Sequence, residues 1–229
     1  MSEDRSEDRN DAGDGRTAAD DGRAGVLLDL DGTLVDSVYQ HVVAWFEAFR
    51  DHGHDVAQAR VHAAIGMGGD RLVPWVLAGH VDEAQDIADE HKRRFLAVAA
   101  GLRRTAGALE LLHDLEVRGV PYVVATSAGS QEREALLDVL GRHDLSLIDS
   151  DGVATSKPAP DLLLTACADH GFDPAASIMI GDAPWDALAA RAAGARAVAV
   201  RCGGFSDEVL AAAGAERVVD DPAGLIGQL

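Results

Sequence analysis

Short apolar runs that stop at glycine, aspartate, serine or proline recur along the chain: Val26 to Leu30, Val120 to Ala125, Leu145 to Ile148, Ser177 to Ile180 and Ala195 to Val200. Runs of this length between turn residues predict buried β-strands. The intervening segments carry apolar residues at helical spacing: Ala108 to Arg118, Gln131 to Leu140, Pro160 to His170 and Asp186 to Ala193. A glycine closes each of them (Gly119, Gly141, Gly171, Gly194), where a helix end favours a left-handed residue. Strand and helix alternating this often predict an α/β fold, a doubly wound, Rossmann-like parallel sheet covered on both faces. Such sheets bind ligands at the carboxyl ends of their strands.

Residues 37 to 104 break the rhythm. Helical periods follow one another there, Val38 to His52, Gln58 to Ala64, Asp70 to Leu77 and Glu83 to Ala99, with no strand between them. They predict an inserted α-helical subdomain, with α/β core segments at 25–36 and 105–229. Ser37 followed by Gln40 reads as a capping box, starting the first inserted helix directly after the Asp31 turn. Residues 1–24 contain no Val, Ile, Leu, aromatic or Cys, and eight acids against four arginines. A segment with so little to bury is expected to be a disordered acidic tail.

Composition narrows the partners. The 229 residues are 47% hydrophobic, but only ten are aromatic, so the core is expected to be Leu, Val and Ala. A net charge of −19 repels phosphate backbones and anionic lipid, so neither nucleic acid nor a membrane is an expected partner. Two cysteines, Cys167 and Cys202, are too few for a disulfide framework. With no run of 18 apolar residues and no basic-then-apolar start, the expected location is the cytoplasm.

Four predicted strand ends carry polar chemistry. Asp29-Leu30-Asp31-Gly32-Thr33 sets two carboxylates two residues apart, on one side of an extended chain. Both stay ionised only beside a cation, and a hard, oxygen-liganded ion such as magnesium suits them. A carboxylate so neutralised can attack phosphorus while its neighbour exchanges a proton. Thr126 and Ser127 close the second run with hydroxyls and a backbone N–H suited to phosphate oxygens. Lys157, in Ser156-Lys157-Pro158, is one of only two lysines, the other being Lys92; a compact ammonium suits a site crowded with oxygens. Asp182 and Asp186 follow the Ile178–Ile180 run and share a face at the next helix start. Each motif alone has an ordinary structural explanation, as an acidic turn, a helix cap or a solvated lysine. Their ordered conjunction carries the argument.

That set, DLDGTLVDS at 29–37, VVATS at 123–127, SKPAPD at 156–161 and IGDAPWD at 180–186, resembles the haloacid dehalogenase superfamily of phosphohydrolases, over about residues 25–220. The resemblance implies that Asp29 forms an aspartyl-phosphate and binds magnesium, and that Asp31 is general acid and base, lending a backbone carbonyl to the metal. It implies further that Thr126, Ser127 and Lys157 hold the phosphoryl group, that Lys157 steadies the nucleophile, and that Asp182 ligates magnesium with Asp186 one step behind it. The insert is similar to the small helical cap of the phosphoglycolate phosphatase and β-phosphoglucomutase-like subgroup. In it His41, Trp45, Gly68 and Arg71 are the candidates for touching substrate.

The expected activity is a magnesium-dependent phosphatase acting on a small phosphorylated metabolite of phosphoglycolate or sugar-phosphate type, as a monomer or homodimer. Asp31 argues against dehalogenase activity, whose halide needs no proton. The alternatives are a β-phosphoglucomutase-like phosphosugar mutase, and a non-catalytic phospho-acceptor of receiver type. The mutase's cap-loop arginine is replaced near Asp70, and receivers have no cap insert. Lys92 is expected to be solvated, His52-Gly53-His54 to be a loop pair without metal, and Met67, Trp75, Trp185 and Cys167 to serve packing.

Overall fold

The computed structural model describes residues 22–149 and 155–229. Its elements in chain order are β1 (Val26–Leu28), β2 (Val35–Asp36), α1 (Val38–Asp51), α2 (Gln58–Ala64), α3 (Gly69–Leu77), α4 (Ala84–Val98), β3 (Arg103–Arg104), α5 (Ala108–Arg118) and β4 (Tyr122–Ala125). They continue with α6 (Ser130–Leu140), β5 (Leu147–Ile148), α7 (Asp161–His170), β6 (Ile178–Gly181), α8 (Pro184–Ala193), β7 (Arg196–Val200), α9 (Asp207–Ala213) and β8 (Arg217–Val219).

Six strands form one parallel sheet in the order β5-β4-β1-β6-β7-β8. Strand alternation splits the apolar residues between its faces. Leu28, Val124, Ile180, Val198 and Val200 meet α5 and α6 on one face. Leu27, Val123, Met179, Ala197 and Ala199 meet α7, α8 and α9 on the other. This is the doubly wound, Rossmann-like architecture expected, with a Leu, Val and Ala core and Cys167 inside it. The chain leaves β1 toward β4 on one side and later reaches β6 on the other. The strand order therefore reverses at β1, the place where such sheets bind ligands.

Helices α1 to α4 form the insert, packed around Val42, Phe49, Val61, Leu72, Val76 and Ile87. A two-stranded antiparallel pair, Val35–Asp36 on Arg103–Arg104, closes its base. Each strand spans two residues, too short for any period to register in the sequence. The insert also leans on the core: Ala44, Phe95 and Ala99 join the cluster beneath α6.

Several expectations need correction. Ser37 does not form a capping box; its hydroxyl makes no cap bond and donates to Asp31 Oδ1 at 2.7 Å. Trp75 is 37% exposed, lying beneath the Arg60 guanidinium, 5.0 Å from its ring centroid, outside the insert's core. β8 and α9 were not anticipated. The expected tail falls outside the described residues for 1–21; Arg23, at its end, bridges to Phe172 beside the sheet. His54 pairs with Glu83 at 3.1 Å and joins no metal-type cluster among the described residues. No helix among the described residues is long and apolar enough to cross a membrane.

Candidate active site

The register of the central strands brings the predicted motifs together. Leu28 pairs with Val124 on one side and Ile180 on the other, so Asp29, Thr126 and Asp182 emerge at neighbouring strand ends. Asp29 is anchored by its N–H, which donates to the Ile180 carbonyl at 2.9 Å. The chain then turns sharply. Gly32, at φ +72, gives its N–H to the Val35 carbonyl at 2.8 Å and to Ser37 Oγ at 3.2 Å. A Cβ at Gly32 would overlap the Asp182 carboxylate, which is why the turn needs glycine.

The turn sends the two aspartates to different surroundings, correcting the expectation that their side chains share one ion. Asp29 Oδ1 takes a hydrogen bond from Lys157 Nζ at 2.6 Å, and Lys157 also lies 2.8 Å from Asp186 Oδ1. Asp29, Asp182 and Asp186 form a group whose ligand oxygens all lie within 4.8 Å of one another. All three residues are at most 3% exposed, and Lys157 is 1% exposed. Thr33 Oγ1 donates to Asp182 Oδ1 at 3.1 Å, while Asp186 Oδ2 accepts the Ala183 N–H at 3.1 Å. The Asp31 carboxylate lies outside this group. It accepts hydrogen bonds from Ser37 and, at 2.8 Å, from His41 Nε2 of the insert.

The electrostatics follow the geometry. Burial raises the Asp29 pKa to about 7, against the lowering effect of Lys157 and with a further push from Asp186. Burial and the neighbouring Asp186 and Asp29 raise Asp182 well above the usual carboxylate range. Burial also works against Asp31 ionisation, but the His41 charge and hydrogen bond outweigh it and hold Asp31 below its ordinary value. His41 is raised in turn, burial being overcome by Asp31. Lys157 rises above an ordinary lysine, because Asp186 and Asp29 outweigh its burial.

Above these groups, between core and insert, lies a cavity of about 730 Å³. Asp29, Asp31, Thr126, Ser127, His41, Trp45 and Gly68 line it, while Lys157, Asp182 and Asp186 are buried around Asp29. Thr126 Oγ1 accepts the Ala128 N–H at 3.1 Å, fixing the loop that follows β4. Arg71 does not fit the expectation: it is exposed and off the cavity. Lys92 is solvated as expected, its side chain 38% exposed and paired with Asp89 at 3.0 Å, and it also lines the cavity. Met67 lines the cavity as well as packing in the insert. Trp185 packs against the insert's core and donates its Nε1–H to the Ala63 carbonyl at 3.2 Å.

The sequence reading missed His91 and Glu132. His91 Nε2 lies 2.9 Å from His41 Nδ1, and His91 Nδ1 lies 3.5 Å from Glu132 Oε1. A buried line thus runs from Asp31 through two imidazoles to Glu132 on α6. Burial and the neighbouring His41 hold His91 well below an ordinary histidine pKa, so it faces His41 as a neutral acceptor. One signal was present: Ile87, His91 and Phe95 form the buried stripe of α4 at four-residue spacing, and a histidine there needs partners. Glu132 gave none, since an acid in the first turn of a helix is ordinary.

A family model for haloacid dehalogenase-like hydrolases matches residues 24–194. The chain belongs to this family. Among its relatives is the validoxylamine A 7'-phosphate phosphatase of Streptomyces hygroscopicus subsp. limoneus, 36% identical over 73% of this chain and 81% of that protein. The phosphoglycolate phosphatase of Rhodospirillum rubrum is 35% identical over 87% of this chain and 88% of its own length. Among solved structures, a hydrolase from Pseudomonas syringae superposes with a TM-score of 0.85 at 35% identity, covering 89% of this chain and 96% of the other. These relatives make this haloacid dehalogenase-like protein a phosphohydrolase.

Proposed function

We propose that the chain is a magnesium-dependent phosphatase that hydrolyses a small phosphorylated metabolite, of phosphoglycolate or sugar-phosphate type, through a phosphoenzyme on Asp29. The observation that carries this reading is the division of the two strand-end acids. Asp29 sits against Lys157 in a buried carboxylate group, and Asp31 is held apart on His41.

The donor set fits magnesium. Three buried carboxylates face one lysine, leaving about two negative charges, which a hard divalent cation with oxygen ligands would balance. Asp29, Asp182 and the Asp31 backbone carbonyl would hold it. Asp186, with one oxygen on Lys157 and the other on the Ala183 N–H, would orient from behind. When bound, magnesium supplies the positive charge that lets the Asp29 carboxylate approach an anionic phosphoryl group.

The remaining steps belong to the chain's own residues. Asp29 Oδ attacks phosphorus as the ester oxygen departs, and Lys157 opposes the charge on the phosphoryl oxygens. Thr126 and Ser127 orient the group from the end of β4. The departing alkoxide takes its proton from the Asp31–His41 pair, which carries one exchangeable proton along its 2.8 Å hydrogen bond. Asp31 then removes a proton from the water that hydrolyses the aspartyl-phosphate. The insert covers the site and limits water during the first transfer.

The test is phosphate release from a panel of phosphate esters, with and without magnesium, by wild type and Asp29→Asn. Turnover is expected to require magnesium and to fall at least about a thousandfold in the variant. Substantial turnover by Asp29→Asn would remove Asp29 from its assigned role.

A further inference from the structure

The cavity carries three carboxylates besides Asp29 and Asp31. Asp70, Asp89 and Glu132 present carboxylates there, interleaved with Gln85, Ser130 and Gln131. Asp70 is fixed by Ser156, whose hydroxyl donates to Asp70 Oδ1 at 2.6 Å. Lys92 is the one lysine or arginine among the described lining residues, and its ammonium is tied to Asp89 at 3.0 Å. Of the arginines beside lining residues, Arg93 pairs with Glu90, Arg94 lies with Glu90, Glu47 and Asp51, and Arg71 is exposed and off the cavity.

A substrate carboxylate placed here would meet three like charges, against one ammonium already tied to Asp89 and the few donors of Gln85, Ser130 and Gln131. It has no proton to donate, and ionic repulsion adds to the missing hydrogen bonds. Hydroxyl groups would find the reverse, since each can donate to a carboxylate or amide oxygen and accept from a glutamine or serine. Size points the same way. At about 730 Å³ the cavity falls in the roughly 300–1,000 Å³ range that encloses drug-sized ligands, more than a two-carbon acid fills.

We propose that the leaving group is a neutral, polyhydroxylated alcohol of about hexose size, and that phosphomonoesters bearing a carboxylate, phosphoglycolate among them, are poor substrates. This rests on the phosphatase reading above and narrows it.

The test compares pairs that differ only by a terminal hydroxymethyl or carboxylate: sorbitol 6-phosphate with 6-phosphogluconate, and glycerol 3-phosphate with 3-phosphoglycerate. With the full chain and magnesium, kcat/KM for the hydroxyl member is expected to exceed that of its partner at least about tenfold, the scale set by unpaired polar groups in a binding site. The six-carbon alcohol is expected to exceed the three-carbon one. Asp89→Asn frees Lys92 and should shift the ratio toward the carboxylate member by about two- to fivefold, the worth of one exposed ion pair. Equal or better turnover of the carboxylate members overturns the proposal, as does a ratio that Asp89→Asn leaves unchanged. The chromogenic ester p-nitrophenyl phosphate separates the two levels. Its hydrolysis without turnover of either hydroxyl member sinks the substrate class alone, whereas no magnesium-dependent release from any ester sinks the phosphatase reading beneath it.

Discussion

Replacing Lys157 by Met removes the one lysine that touches the buried acids and nearly preserves the side chain's length. Lys157 Nζ lies 2.6 Å from Asp29 and 2.8 Å from Asp186, at 1% exposure. Deleting one partner of a buried ion pair ordinarily costs about 3–5 kcal/mol. Here protons relieve part of that. With Lys157 present the Asp29 pKa is already about 7, so without it Asp29 keeps its proton through neutral pH. A carboxylate whose native pKa exceeds its unfolded value binds a proton on folding, so stability falls as pH rises between the two, by about 1.4 kcal/mol per pH unit for each proton. For Asp29 in the wild type that decline runs from about 4 to about 7; in the variant it continues above 7. Lys157's own raised pKa contributes stability that is complete below about 10.5, so its loss is constant over this range. The metal-free variant is therefore expected to be less stable than wild type by about 1–2 kcal/mol at pH 6 and about 3–5 kcal/mol at pH 9. Urea denaturation with a chelator at four pH values measures this. Magnesium at a hundred times its dissociation constant should add about 2.7 kcal/mol and flatten the slope, since ion and protons compete for the same oxygens. A difference from wild type that stays constant from pH 6 to 9 would refute the reasoning.

Two further outcomes test the surroundings of the site. His91→Leu removes the acceptor for His41 Nδ1 and is expected to lower kcat about tenfold with little change in KM, while His91→Gln, which keeps an acceptor, recovers part of it; equal losses in steady-state kinetics would show that His91 only fills space. Gly203→Ala would drive a Cβ into the Asp182 carboxylate and backbone, so a loss of about 1–3 kcal/mol in stability and at least about tenfold weaker magnesium binding are expected in a thermal-shift titration, and unaltered magnesium affinity would place the ion elsewhere.

The sheet was legible because its strands are short, apolar and cut off by residues that cannot continue them, and because every site residue on the core follows such a cut. What escaped had no such punctuation. Val35–Asp36 and Arg103–Arg104 are two residues each, and Arg217–Val219 is a half-buried edge strand. On α3, helical spacing directs Leu72, Val73 and Val76 inward, which leaves Arg71 and Trp75 on the outer side. Reading them as substrate contact and core gave weight to residue type over angular position. His91 was hidden by its neighbours: the His-Lys-Arg-Arg run looks uniformly solvated, yet on a helix its members point in different directions, His91 inward and Lys92 to solvent beside the cavity.

The spacing of Asp29 and Asp31 gives only part of the picture that the structure shows. Two residues apart on a strand, they would face one way, and the ion between them would be their common partner. The strand ends at Leu28, however, and the Gly32 turn carries Asp31 toward the insert, onto Ser37 and His41. The separation gives the two acids opposite electrostatics. Asp29, buried among Asp182 and Asp186, is held against ionisation, and the proposed nucleophilic role requires a cation to offset that. Asp31 is hydrogen-bonded to a histidine whose own pKa it raises, which fits the proposed role of giving and taking protons in turn. His41 and His91 belong to the insert, while Asp31 and Glu132 belong to the core. The geometry of the proposed proton-handling acid is therefore built jointly by core and insert.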